Sequence, residues 1–132
     1  MPTLLDTHTW IWWVTADKRL AKRALAHIRR ATRAEGVCVS AISVWEVAKK
    51  VEKRQLVLDR PLRAWLDVAM SAPGLQLLEL TPNILIESCQ LPAPFQGDPA
   101  DQIIVASARQ HQAVLVTKDR SLRAYGHVQT LW

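Results

Sequence analysis

A chain of 132 residues, 49% of them hydrophobic, is sized for one compact domain spanning 1–132 with one core. It holds no run of about 18 uncharged apolar residues, which excludes a membrane-spanning helix. The apolar N-terminus carries Asp6 and no basic leader, unlike a secretion signal, so a cytoplasmic protein is expected.

In chain order, a first strand is predicted at Thr3–Asp6 and a short helix from about Thr7 to Val14. A second helix is predicted from about Lys18 to Thr32, and a strand at Gly36–Val39. A third helix includes Ser43–Arg54, and a fourth follows Pro61. A strand near Leu75–Leu80 and a short helix after Pro82 lead into a proline-containing loop at Leu91–Gly97. A helix at Pro99–Gln112, a strand at Ala113–Thr117, a short helix at Arg120–Tyr125 and a strand near Val128–Leu131 complete the chain. Short apolar runs alternating with helical patterns indicate an α/β three-layer sandwich with a mainly parallel central sheet flanked by helices. Cys38 and Cys89 form no CxxC pair and sit among apolar neighbours, so both are expected as buried thiols and a zinc site is not. Most of the six tryptophans are expected in the core or at an interface.

In such sheets ligands bind at the carboxyl ends of the strands. There this topology gathers Asp6, Glu46, Asp98, Asp101 and Asp119. Each has a local structural reading. Asp6, Asp98 and Asp119 precede helices as N-caps, and Ser43 with Glu46 has the spacing of a capping box. Capping does not require acids, however, nor their collection on one rim. Two carboxylates about 4 Å apart repel by roughly 4 kcal/mol at an effective dielectric near 20. A cluster of them calls for a cation, and hard oxygen ligands select Mg²⁺ or Mn²⁺.

The segments Leu4-Leu5-Asp6-Thr7-His8, Ser40 to Ala48, Asp98-Pro99-Ala100-Asp101 and Leu115 to Asp119 resemble, in order and spacing, the successive motifs of PIN-domain nucleases. They look most like the VapC toxins of bacterial toxin–antitoxin pairs. The resemblance implies a metal-dependent endoribonuclease with Asp6, Glu46, Asp101 and Asp119 as the metal-site acids. It makes Asp98 an accessory, and Thr7 and Thr117 hydroxyls that support the acids. It also implies an RNA substrate, a cognate antitoxin and a homodimer. Two positions depart from the pattern: Gln102 stands where Arg is frequent, and Gln96 where His is frequent.

The formal charge of +5 is unevenly placed, with 13 basic and 6 acidic residues in 1–66 against 4 and 6 in 67–132. A lopsided basic surface suits an anionic partner, nucleic acid first. At about 100° per residue, the basic residues from Lys18 to Arg33, including Arg19, Arg23 and Arg30, fall in an arc of roughly 140°. On the third helix Lys49 and Lys50 share a side with Glu46. These two groups are candidate surfaces for RNA or the antitoxin, against a plain solvated face. A haloacid-dehalogenase-like enzyme needs a second Asp where His8 stands, and a receiver domain needs paired acids at the first strand. A PIN fold that binds RNA or protein without catalysis is the remaining alternative.

Overall fold

The computed structural model describes all residues, 1–132. Its elements are β1 (Thr3–Leu5), α1 (Thr7–Val14), α2 (Lys22–Thr32), β2 (Val37–Ser40), α3 (Ala41–Glu52), α4 (Leu62–Met70), β3 (Leu75–Leu78), α5 (Pro82–Ser88), α6 (Pro99–Gln110), β4 (Val114–Val116), α7 (Arg120–Ala124) and β5 (Thr130–Leu131). The five strands form one parallel sheet in the order β3-β2-β1-β4-β5. Parallel neighbours need crossover helices, and those helices cover both faces.

Register sorts the side chains between the faces. Leu5 stands opposite Val39 and Val116, and these three join Trp10, Ile28, Val47 and Trp65 in one core beneath α1, α2 and α4. Leu4 stands opposite Cys38 and Leu115, and packs in a second core with Ile104, Val105 and Leu122 of α6 and α7. The three-layer sandwich read from the sequence is the one observed. β1 and β4 are buried on both faces, which is why they are mostly apolar runs rather than alternating ones, with Thr3 of β1 hydrogen-bonded to His27.

The predicted elements all form, with two informative shifts. The second helix starts at Lys22, not Lys18. The Asp17 side chain accepts the Arg19 N–H at 2.8 Å, a local turn bond that competes with helix formation. Lys18 and Arg19 therefore precede the helix. The third helix begins at Ala41, because Ser40 is the N-cap and its Oγ accepts the Ile42 N–H at 3.2 Å. Ser43 lies inside the helix, so the capping box suggested for Ser43 and Glu46 does not exist.

Expectations for side-chain burial divide. Trp10, Trp12 and Trp65 are buried, and Trp10 meets Trp65 edge-on at 5.5 Å. Trp45 is exposed. Cys38 is half-buried, but Cys89 is exposed, contrary to its apolar neighbourhood in sequence. It follows directly after α5, where Cys89 caps the helix at the surface.

Candidate active site

The chain leaves β1 toward β2 on one side and reaches β4 on the other, so the sheet order reverses at β1. The crevice outside the carboxyl ends of β1 and β4 is the position such sheets offer to ligands. Asp6 follows β1 there, and Thr117 to Asp119 follow β4. Ser40 carries β2 straight into α3, which brings Glu46 to the same rim.

The capping reading holds for Asp6, Asp98 and Asp119 but not for Glu46, which lies inside α3. Asp6 caps α1, with Oδ1 accepting the Thr7 N–H at 2.7 Å. Asp119 caps α7 through the Leu122 N–H at 3.1 Å. Asp98 and Asp101 form a capping box on α6: Asp98 Oδ1 accepts the Asp101 N–H at 2.8 Å and Asp101 Oδ2 accepts the Asp98 N–H at 3.3 Å. Capping thus sets each aspartate at a helix start, and the topology then collects those starts beside Glu46 of α3.

Two threonines join the acids into one network. Thr117 Oγ1 donates to Asp6 Oδ2 at 2.7 Å and accepts the Asp119 N–H at 3.1 Å. Thr7 Oγ1 donates to Glu46 Oε1 and lies 2.8 Å from Ser43 Oγ. A hydroxyl has one proton, so while Thr7 donates to Glu46, Ser43 donates to Thr7. Ser43 is thus a supporting residue that sequence reasoning assigned elsewhere. Its signal was the i, i+3 spacing to Glu46, which puts both on one helix face.

The acids grade from floor to lip. Asp6 is buried at 5% exposure, Glu46 and Asp101 are half-buried, and Asp98 and Asp119 are exposed. None of them belongs to any of the ion pairs in the molecule. Burial raises the Asp6 carboxyl, against the Thr117 and Thr7 hydrogen bonds and the nearby His8. Burial likewise raises Glu46, where the Thr7 bond opposes it and the charges of Asp6 and Asp98 add to it. Asp101 is pushed up to about 7, first by burial, then by the charges of Asp98 and Asp6. Asp6, Glu46 and Asp101 each feel the charge of other acids at the rim, which makes them one electrostatic cluster. The carboxylates do not close into a ready-made shell of three or more groups. A cation at this rim would be completed by waters and substrate phosphate rather than by a closed protein shell.

The other candidates separate. Lys50 and Lys49 border the acids, lining with Glu46 and Asp98 a cleft of about 250 Å³. Arg19 is paired with Asp17 at 2.7 Å and stacked over Trp12. Arg23 and Arg30 are exposed on α2, and Arg30 lines a cavity with Met1, Thr3 and His27 at the amino end of β1, the rim opposite the acids. His8 is exposed, and its charge acts on Asp6. Gln102 turns away from the acids and donates to the Ser88 carbonyl at 3.3 Å. Two larger cavities, about 490 and 500 Å³, lie along α1 away from the acids. Chemistry rather than cavity size therefore picks out the site.

A parallel α/β sandwich with carboxylates collected at its switch point defines the class. A family model described as the PIN domain matches residues 3–128, and the chain belongs to that family. It is 37% identical over 131 residues to Ribonuclease VapC22 of Mycobacterium tuberculosis, an alignment covering 98% of this chain and 97% of that protein. Its fold matches the DNA-bound VapBC structure from Salmonella typhimurium with a TM-score of 0.71 at 22% identity, over 99% of this chain and 97% of that one. It also matches a toxin–antitoxin complex from Klebsiella pneumoniae with a TM-score of 0.62 at 21% identity, over 96% and 94% of the two chains.

Proposed function

We propose that the protein is a divalent-metal-dependent endoribonuclease and the toxin of a toxin–antitoxin pair. The observation that carries this reading is the rim of carboxylates without basic partners, in a chain 37% identical to a named ribonuclease. Asp6, Glu46, Asp101 and Asp119 would hold Mg²⁺ or Mn²⁺, with Asp98 beside them. A bound ion supplies a water acidified enough to attack phosphorus and stabilises charge on the phosphate oxygens.

The chain's own residues do the positioning. Thr117 holds the Asp6 carboxylate with one oxygen toward β4, while the Thr7 N–H holds the other. The Ser43–Thr7–Glu46 relay ties Glu46 of α3 to the start of α1. The α6 capping box keeps Asp101 half-buried beside Asp98. The cognate antitoxin is the protein partner on this reading. The basic face of α2, with Arg23 and Arg30, is its proposed docking surface, since it lies off the acid rim. On this reading the protein acts in the cytoplasm, on RNA.

The test is cleavage of an unstructured RNA by purified protein with Mg²⁺ or Mn²⁺, with and without chelator. Cleavage that persists in chelator overturns the metal reading, and no cleavage under any condition overturns the nuclease reading. Glu46 is tested separately. Ser40, not Ser43, caps α3, so Glu46→Gln leaves the helix intact and its effect falls on the site. The charge count of the ligands tunes cation affinity, so the apparent affinity for Mn²⁺ is expected to fall by at least about tenfold. A titration curve superimposable on wild type would remove Glu46 from the ligand set.

A further inference from the structure

One residue before Glu46, α3 turns an indole outward. Trp45 is 55% exposed, whereas Trp10, Trp12 and Trp65 are buried. It takes no part in either hydrophobic core. Its surroundings are charged: it lines the 250 Å³ cleft with Lys49, Lys50, Lys53, Glu46 and Asp98. Lys49 is tied to Glu52 at 2.7 Å, and its ammonium lies 5.8 Å from the indole centroid, which steadies the ring. Lys50 and Lys53 have no ion-pair partner. The cleft therefore offers an open aromatic face and two free ammonium groups, and it ends at two of the acids.

Single-stranded nucleic acid needs this combination, cations along its backbone and an aromatic platform for a base. The alternatives fit less well. A second copy of the chain bringing the same face would set lysines against lysines. An acidic protein segment would find the lysines but would also face Glu46 and Asp98. We propose that the Trp45–Lys50–Lys53 cleft is a nucleotide subsite, in which the indole stacks the base of a nucleotide adjoining the phosphate at the acids and the two lysines hold its backbone. Its position next to the cut phosphate rests on the nuclease reading above. Stacking tolerates any base, so the subsite gives affinity and register rather than strict sequence choice.

The test is a set of short unstructured RNA oligonucleotides, each lacking the base at one position. Their binding is measured by fluorescence anisotropy and their cleavage by product mapping. For wild type, loss of one particular base is expected to weaken binding about tenfold, a typical stacking contribution. Trp45→Ala weakens the intact RNA by a similar factor and becomes indifferent to that base, whereas Trp45→Phe keeps most of both. Lys50→Gln with Lys53→Gln flattens the salt dependence by roughly 0.7 for each phosphate no longer neutralised. A flat scan in wild type, or an unchanged scan in Trp45→Ala, overturns the proposal. So does a Trp45→Ala variant whose only change is its oligomeric state in sedimentation, since that makes the face an interface between copies. The two readings fail separately: cleavage with a flat scan removes the subsite, and a Trp45-dependent scan without cleavage removes the nuclease.

Discussion

Asp101→Asn abolishes metal-dependent RNA cleavage and at the same time relieves the metal-free protein. Loss of an outer hydrogen-bond partner alone costs a metal site up to about a hundredfold, so loss of a charged ligand is expected to cost at least that. The fold survives, because Asp98 still caps the Asp101 N–H and an Asn oxygen can accept the Asp98 N–H in turn. Asp101 is raised from 3.8 in the unfolded reference to about 7 in the fold, chiefly by burial and then by Asp98 and Asp6. Below about pH 4 it is protonated in both states and contributes no penalty. As pH rises from about 4 toward 7 the unfolded chain releases that proton while the folded one retains it, so stability falls across this window and levels off above it. Glu46 and Asp6 are raised as well and act in the same direction. Melting curves in chelator from pH 4 to 8 should therefore decline more steeply for wild type than for Asp101→Asn. A variant that cleaves RNA at the wild-type rate ends the assignment. A variant that melts well below wild type at pH 7 in chelator reduces Asp101 to a capping residue.

Thr117→Val is the second large effect, and it acts on stability and activity together. Thr117 is fully buried, and its hydroxyl serves both Asp6 Oδ2 and the Asp119 N–H. Valine has nearly the same shape but leaves a buried carboxylate oxygen and an N–H without that partner. The expected loss is about 2 to 3 kcal/mol, read from urea unfolding. The Thr117 bond is also the strongest influence holding Asp6 down, so Asp6 becomes harder to ionise and cleavage falls by roughly ten- to a hundredfold. Thr117→Ser restores the hydroxyl and is expected to recover most of both. If valine is silent in stability and in turnover, the threonine is packing only.

The basic arc shows where helical periodicity alone goes astray. Projected on one continuous helix, Lys18, Arg19, Arg23 and Arg30 share a face, but the Asp17 turn removes the first two. Arg19 then turns back onto Asp17 and Trp12, and Arg30 sits at the rim away from the acids. Charge pattern identified a basic surface without saying which end of the sheet it serves. Of the basic groups singled out by the charge pattern, the lysines of α3 are the ones that border the acids.

What was legible in the sequence was local or periodic. Caps act over three or four residues, so Asp6, Asp98 and Asp119 could be read as helix starts directly. Short, mostly apolar strands between amphipathic helices specify a doubly covered parallel sheet, because its central strands β1 and β4 bury both faces. The tertiary structure decided what depends on distant partners. Ser40 and Ser43 are equally able to cap, and the choice of Ser40 followed from the strand running into α3, which freed Ser43 and Glu46 to meet Thr7 across 36 and 39 residues. The Thr117–Asp6 bond joins residues 111 apart. Trp10 and Trp45 are chemically identical, and only the packing of Trp10 with Leu5, Val39 and Trp65 left one in the core and the other open beside the acids. Most of the rise of the Asp101 carboxyl belongs to the tertiary structure for the same reason: Asp98 is a local neighbour, but burial and the fields of Asp6 and Asp119 exist only once separate loops arrive at one rim.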